Sequence, residues 1–192
     1  AGSTPIRLHV DLGTGTGAVL HRFANHAEQA IGIDSSRDML AIARANLEAT
    51  GIRSAQVRHG EIYALPFPDR FCDFVTIHQV LHFLEDPARA LAEASRILSP
   101  GGRLLIVDFA PHDMDELRTH HAHRRLGLAA EHMAQWLQRA GLNLLQHDVL
   151  PPPWRKDGTG LTVSLWLAQA PGQPASATLS PASSISHMDA IS

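Results

Sequence analysis

Three glycines and three acids in the first third of the chain carry its strongest chemical signal. Gly13, Gly15 and Gly17 alternate within Val10-Asp11-Leu12-Gly13-Thr14-Gly15-Thr16-Gly17, directly after the apolar run Ile6 to Val10. Glycine reaches positive φ and has no Cβ, so such a turn lets backbone N–H groups approach a bound molecule where the next helix begins. Asp11 stands two residues before the first glycine, Asp34 ends a second apolar run, Ala30-Ile31-Gly32-Ile33, and Glu61 follows a third segment of strand character. In open sheets of parallel strands, ligands bind beyond the carboxyl ends of the strands. Acids at three such ends suit a ligand rich in hydroxyl and amino donors and repel a pyrophosphate.

The glycine spacing alone leaves two ligand classes open. Gly13, Gly15 and Ala18, with Asp34 about 20 residues on, also fit the dinucleotide pattern G-x-G-x-x-A. An NAD(P)-dependent oxidoreductase is therefore one reading, and a turn made of glycine only for tight packing is another. The oxidoreductase reading lacks a Tyr-x-x-x-Lys pair, because Tyr63 and Lys156 are the sole residues of their types and lie far apart. Histidine is abundant, with thirteen in the chain. His78 and His82 follow a strand end and are candidates for a base or an acceptor contact. His112, His120, His121, His123 and His132 read as a solvated helix face or a lid. They come with no H-E-x-x-H pattern and no cysteine neighbour, so no metal site is expected.

The elements that must position these residues alternate. Strands are expected at Ile6 to Val10, Ala30 to Ile33, Ala55 to Arg58, Phe74 to Ile77 and Arg103 to Phe109. Helices are expected from Ala18, from a capping box with Ser35 as N-cap and Asp38 three residues on, and from Asp86-Pro87 to a stop at Pro100-Gly101-Gly102. A histidine-rich helical segment, Asp113 to Arg125, precedes a helix with Met133, Trp136 and Leu137 on one face. Leu142 to Leu150 and Leu161 to Ala170 have no helix between them and should pair as an antiparallel hairpin at a sheet edge. The alternation argues for an α/β fold with a mostly parallel sheet and helices on both faces.

At 192 residues and 44% hydrophobic content the chain can bury one sizeable core, expected over residues 1–170, with a disordered Pro/Ala/Ser-rich tail over 171–192. A strand so close to the first residue points to missing N-terminal helices. The formal charge of −3 and the scattered basic residues show no nucleic-acid stripe, and no apolar run is long enough to span a bilayer. Cys72 is the lone cysteine, which excludes an internal disulfide and suits a cytoplasmic protein; before an apolar strand it reads as a core residue. Arg124-Arg125 reads as a solvated helix end, and Trp154 as part of an exposed proline-rich loop.

Four separated stretches, DLGTGTG, GIDSSRDML, GEIYALPFPDRFCDFV and ASRILSPGGRLLIVDF, resemble in order and spacing the motifs of class I S-adenosylmethionine-dependent methyltransferases. The group they resemble most is that of the ubiquinone/menaquinone-biosynthesis enzymes. The resemblance implies a Rossmann-like seven-stranded sheet of order 3-2-1-4-5-7-6, S-adenosyl-L-methionine as cofactor and a small-molecule methyl acceptor. It implies that Gly13 and Gly15 lie against the methionine and ribose part, with Asp11 ordering the amino-acid end. Asp34, with Ser35 beside it, would accept the ribose hydroxyls, Met39 would pack near the adenine, and Glu61 and the Ile62 N–H would read the adenine edge. His78 would border the transferring methyl. The family acid at position 61 is usually aspartate, one methylene shorter.

The stretches TIHQVLHFLEDPARAL and DFAPHDMDELRTHHAHRRLG resemble the methyltransferase half of arsenic-repressor-type regulator fusions. In those proteins a winged-helix DNA-binding domain precedes the enzyme, and none is present here. The resemblance implies a fragment or processed form and offers an alternative role as a cofactor-sensing domain of a transcriptional regulator. Arsenite methylation needs several thiols, and this chain has one.

Overall fold

The computed structural model describes residues 5–114, 124–151 and 160–172. Strands β1 (Ile6–Leu12), β2 (Ala27–Asp34), β3 (Ala55–His59), β4 (Cys72–His78), β5 (Leu98–Phe109), β6 (Asn143–Leu150) and β7 (Val163–Gln169) form one sheet of order β3-β2-β1-β4-β5-β7-β6. The first five pair in parallel, whereas β7 runs antiparallel to both β5 and β6. Both the expected order and the expected edge hairpin are thus present.

Helices α1 (Ala18–Phe23) and α2 (Arg37–Ala49) cover one face, and α3 (Pro87–Ile97) and α4 (Ala130–Arg139) cover the other. Leu91, Ala94 and Ile97 of α3 and Met133 and Leu137 of α4 bury against Val75, Ile106 and Trp166. Leu20, Leu40, Ala43 and Leu47 bury against Ala30 and Val57 on the opposite face. Cys72 lies in the first core, where burial pushes its thiol up to about 12, and Trp136 packs half-buried against it. Asp86 caps α3 by accepting the Arg89 N–H at 3.1 Å, with Pro87 as the first helical residue.

Some boundaries differ from the sequence reading. The N-cap of α2 is Ser36, whose hydroxyl accepts the Met39 N–H at 3.3 Å, and not Ser35. The Ser36 N–H is held by Asp34, which delays the helix by one residue. Strand β5 starts at Leu98, directly after α3, so Pro100-Gly101-Gly102 lies in an irregular start to the strand. There the register shifts between the Cys72 and Phe74 pairings. His112 to Met114 and Arg124 to Leu126 are not helical, and residues 115–123 of the expected histidine-rich helix lie outside the described residues. So do Trp154, Lys156 and residues 173–192 of the expected tail.

Gly32 in β2 is where the sheet meets the glycine turn. A Cβ there would sit 2.6 Å from Thr14 Oγ1 and 2.8 Å from Leu20 Cδ1. Overpacking of this kind typically costs about 1–3 kcal/mol. Gly32→Ala should therefore lower the denaturant midpoint at unchanged slope, and an unchanged midpoint would show that Thr14 and Leu20 relax around the methyl.

Candidate functional site

The glycine turn leaves β1 and folds back onto β2. The N–H groups of Gly13 and Thr14 donate to the Ile33 carbonyl at 2.8 and 3.0 Å. Gly13, Gly15 and Gly17 all adopt positive φ, at 72°, 52° and 81°, where a side chain is strained. The first and second glycines do different work. A Cβ on Gly13 would lie 2.3 Å from Val80 Cγ2, whereas a Cβ on Gly15 would meet nothing within 4 Å. Gly13 thus lets the segment after β4 close on the turn, and Gly15 keeps the cleft open.

Asp34, at the end of β2, braces the same turn. One carboxylate oxygen accepts the Gly15 N–H and the other the Ser36 N–H, both at 2.8 Å. Each oxygen retains lone-pair capacity for a further donor. A cleft of about 570 Å³ opens beside it, lined by Gly13, Gly15, Asp34, Ser35, Glu61, Ile62 and His78 among the residues singled out from sequence. Three others lie off its wall. Met39 is 41% exposed on α2, while Asp11 and His82 are each 1% exposed within the protein.

The segment carrying Glu61 and Ile62 is anchored from behind. Arg96 of α3 donates to the carbonyls of Phe67 and Leu65 at 2.8 and 3.2 Å and to Asp69 at 2.9 Å. Glu93 pairs with Arg96 and accepts the Leu65 N–H at 3.0 Å. Glu61 itself is exposed and forms an isolated bridge with Ala64.

The wall opposite Asp34 is formed by the segment after β4. Gln79 adopts a left-handed φ of 55°, uncommon for a residue with a side chain, and its N–H donates to the Val107 carbonyl at 2.7 Å. Gln79, Val80 and Phe83 line the cleft with His78, and Tyr63 joins them from the β3–β4 connection. Partial burial holds the His78 imidazole below its ordinary pKa, although the Asp108 charge acts against this. His78 is consequently neutral near pH 7 and able to accept a proton.

His82 serves a different purpose from the acceptor contact considered for it. Its Nδ1 lies 2.7 Å from Asp108 Oδ1, and Asp108 Oδ2 accepts the Leu81 N–H at 2.9 Å. The His82 carbonyl accepts from the N–H groups of Arg124 and Arg125. Arg125, expected on a solvated helix end, is half-buried and donates to the carbonyls of Leu84 and Glu85. The segment between His78 and α3 is thereby held both from the sheet and from the chain after residue 123. Gln79, Val80 and Asp108 have no role in the sequence reading, and Arg125 has there only that of a helix end, because each depends on a partner at least 26 positions away.

Beneath the turn lies a buried polar chain. The Thr76 hydroxyl donates to Asp11 Oδ1 at 2.5 Å, and His9 Nε2 lies 2.7 Å from the same hydroxyl. Burial pushes the Asp11 carboxyl up to about 6, against the Thr76 hydrogen bond, and burial pushes His9 down to about 4. Among the described residues no group of three or more metal-ligating side chains occurs, and no helix is long and apolar enough to cross a membrane.

The glycine turn and the acids at the ends of β1 and β2 stand where open α/β sheets bind ligands, beyond the carboxyl ends of the strands. A family profile described as a methyltransferase domain matches residues 10–106, half of the chain, and the chain belongs to that family. The cofactor of the family is S-adenosyl-L-methionine. An uncharacterized methyltransferase, YcgJ, of Bacillus subtilis (strain 168) is 32% identical over 114 residues, which cover 58% of this chain and 45% of that protein. The demethylmenaquinone methyltransferase of Thermus thermophilus is 39% identical over 104 residues, covering 53% of this chain and 47% of the relative. The chain thus spans less than half the length of these curated relatives. Among solved structures, the [4+2]-cyclase SpnF superimposes with a TM-score of 0.75 at 22% identity, over 89% of this chain and 76% of that one.

The two glycines make separable predictions. Gly13→Ala should destabilise the fold by about 1–3 kcal/mol, from strain together with the collision at Val80. Gly15→Ala should cost about 1–2 kcal/mol from backbone strain alone. Thermal melts would rank the two, and equal losses would show that Val80 moves aside freely. The His9 shift makes another. Native His9 refuses the proton that the unfolded chain takes up between pH 6.5 and about 4, so its contribution to stability falls as pH falls through that window. Chemical denaturation at pH 7 and pH 4.5 should show His9→Phe gaining on the wild type at the lower pH, and a constant difference would contradict a neutral buried imidazole.

Proposed function

We propose that this protein transfers a methyl group from S-adenosyl-L-methionine to a small molecule. The observation that carries the proposal is Asp34, a carboxylate fixed by the Gly15 and Ser36 N–H groups on the edge of the cleft with acceptor capacity to spare. The cleft of about 570 Å³ falls within the usual range of roughly 300–1,000 Å³ for small-molecule sites. Among the described residues two acids, Asp34 and Glu61, line it and no Lys or Arg does, which favours a hydroxylated, amine-bearing nucleoside over a pyrophosphate.

When bound, the cofactor supplies an activated methyl on a sulfonium, so the protein's main tasks are to bind, align and exclude water. Asp34 accepts from the ribose hydroxyls, and Ser35 borders them. Glu61 would accept from the adenine amino group, and the Ile62 N–H would donate to a ring nitrogen. Gly13 and Gly15 let the backbone approach the methionine half, and Asp11 lies behind them. His78, neutral near pH 7, takes a proton from an acceptor that must lose one. Met39, exposed on the first turn of α2 and off the cleft wall, is given no contact with the adenine in this reading. A demethylated menaquinone precursor is the first acceptor to assay, given the Thermus thermophilus relative, and the single cysteine fits a reaction in the cytoplasm.

Calorimetric titration with S-adenosylmethionine, S-adenosylhomocysteine and NADH tests the cofactor. The first two should bind and NADH should not. Asp34→Ala should weaken S-adenosylhomocysteine by about 2–3 kcal/mol, through loss of a charged acceptor. Wild-type affinity in that variant would place the ribose elsewhere, and binding of NADH alone would refute the proposal.

A further inference from the structure

The buried chain beneath the turn reaches beyond local packing. Thr76 has one hydroxyl proton and gives it to Asp11 Oδ1, so it must accept from His9, which fixes that ring with its proton on Nε2. His9 is fully buried, with ring centroids 5.1 Å from Phe23 and 5.3 Å from Phe74, and its Nδ1 has no partner. At the other end of the chain, Asp11 Oδ2 and the Thr14 hydroxyl within the turn are buried without a hydrogen bond of good geometry, although the Thr14 hydroxyl lies near enough to the carboxyl to favour its ionised form. A buried carboxylate oxygen held so loosely is costly, and the Asp34 charge nearby adds to the cost. A ligand that donates to this oxygen removes that cost.

We propose that His9 and Thr76 are positioning residues that hold Asp11 with one oxygen engaged and Oδ2 kept for the positively charged amino-acid end of the cofactor. The inference rests on the cofactor reading above and assigns work to two residues within the sheet. β1 and β4 are adjacent, and the register pairs Asp11 with Thr76 and His9 with Phe74, so the three polar side chains share one sheet face. The groups facing the Asp11 carboxyl are the hydroxyls of Thr76 and Thr14 and, through space, the Asp34 carboxylate. No cation among them stabilises its charge.

The pH consequence has a definite sign. Asp11 takes up a proton as pH falls through about 6, loses its charge, and should bind a cationic group more weakly. Replacing Thr76 by valine removes a hydrogen bond that favours the ionised form, so this weakening should begin at higher pH. The same proton uptake stabilises the native state below about pH 6, so the acid loss of affinity cannot come from Asp11 unfolding the protein.

The test uses S-adenosylmethionine together with methylthioadenosine, which keeps the nucleoside and lacks the amino-acid end. Both are titrated calorimetrically between pH 5 and 8 into wild type, Thr76→Val, Thr76→Ser and Asp11→Asn, with thermal melts as controls. Thr76→Val and Asp11→Asn should bind S-adenosylmethionine about ten- to a hundredfold more weakly at pH 7, while methylthioadenosine binds as in wild type. Thr76→Ser should restore the affinity, and Asp11→Asn should abolish the pH dependence near 6. Unchanged S-adenosylmethionine binding in Thr76→Val, or a parallel loss of both ligands, overturns the positioning role. A wild type that binds neither ligand refutes instead the cofactor reading beneath it.

Discussion

Asp34 accepts the Gly15 N–H with one oxygen and the Ser36 N–H with the other, and so ties the turn after β1 to the turn after β2. Two segments 19 and 2 residues away are thereby held about one carboxylate at the end of a strand. The positive φ values of Gly13, Gly15 and Gly17 allow the first turn to point its N–H groups inward, and the same carboxylate moves the start of α2 to Ser36. A group that braces the backbone while keeping spare acceptor capacity is preorganised for a donor-rich ligand, because little remains to be ordered on binding.

The opposite wall is held differently. Val80 fits against Gly13 because residue 13 has no Cβ, and Gln79 adopts a strained φ while its N–H is engaged by Val107. Backbone strain of this kind persists only where the surroundings over-determine it. Here Asp108 holds Leu81 and His82 from the sheet, and Arg125 takes the carbonyls of Leu84 and Glu85. A polar interior therefore supports an apolar rim, and the charges that support it are satisfied by named partners.

Membership of the methyltransferase-domain family and the site chemistry constrain one another. The shared sheet alone does not specify a reaction, since a cyclase superimposes on this chain as closely as a TM-score of 0.75. What narrows the reading is the combination of acids at the ends of β1 and β2, the glycines between them, and a cleft whose wall, among the described residues, carries no Lys or Arg.

The strand order and the placing of Ser35 and Ile62 beside the ligand follow from the family resemblance, whereas the sequence by itself determined the alternation of strands and helices, the glycine turn, the edge hairpin and the strand-end residues Asp34, Glu61 and His78. These are local signals: periodicity, glycine spacing and residues adjoining strand ends carry them without reference to distant contacts. Only the tertiary structure decided that Ser36 caps α2, that Met39 faces solvent, and that His82 is buried against Asp108 rather than set on the cleft. It also decided that Arg125 clamps a loop and that His9, Thr76 and Asp11 form one buried chain across two strands. The His9–Thr76 and His82–Asp108 contacts join residues 67 and 26 positions apart, and the start of α2 turns on which carboxylate or hydroxyl takes the Ser36 N–H, none of which is written in the local pattern.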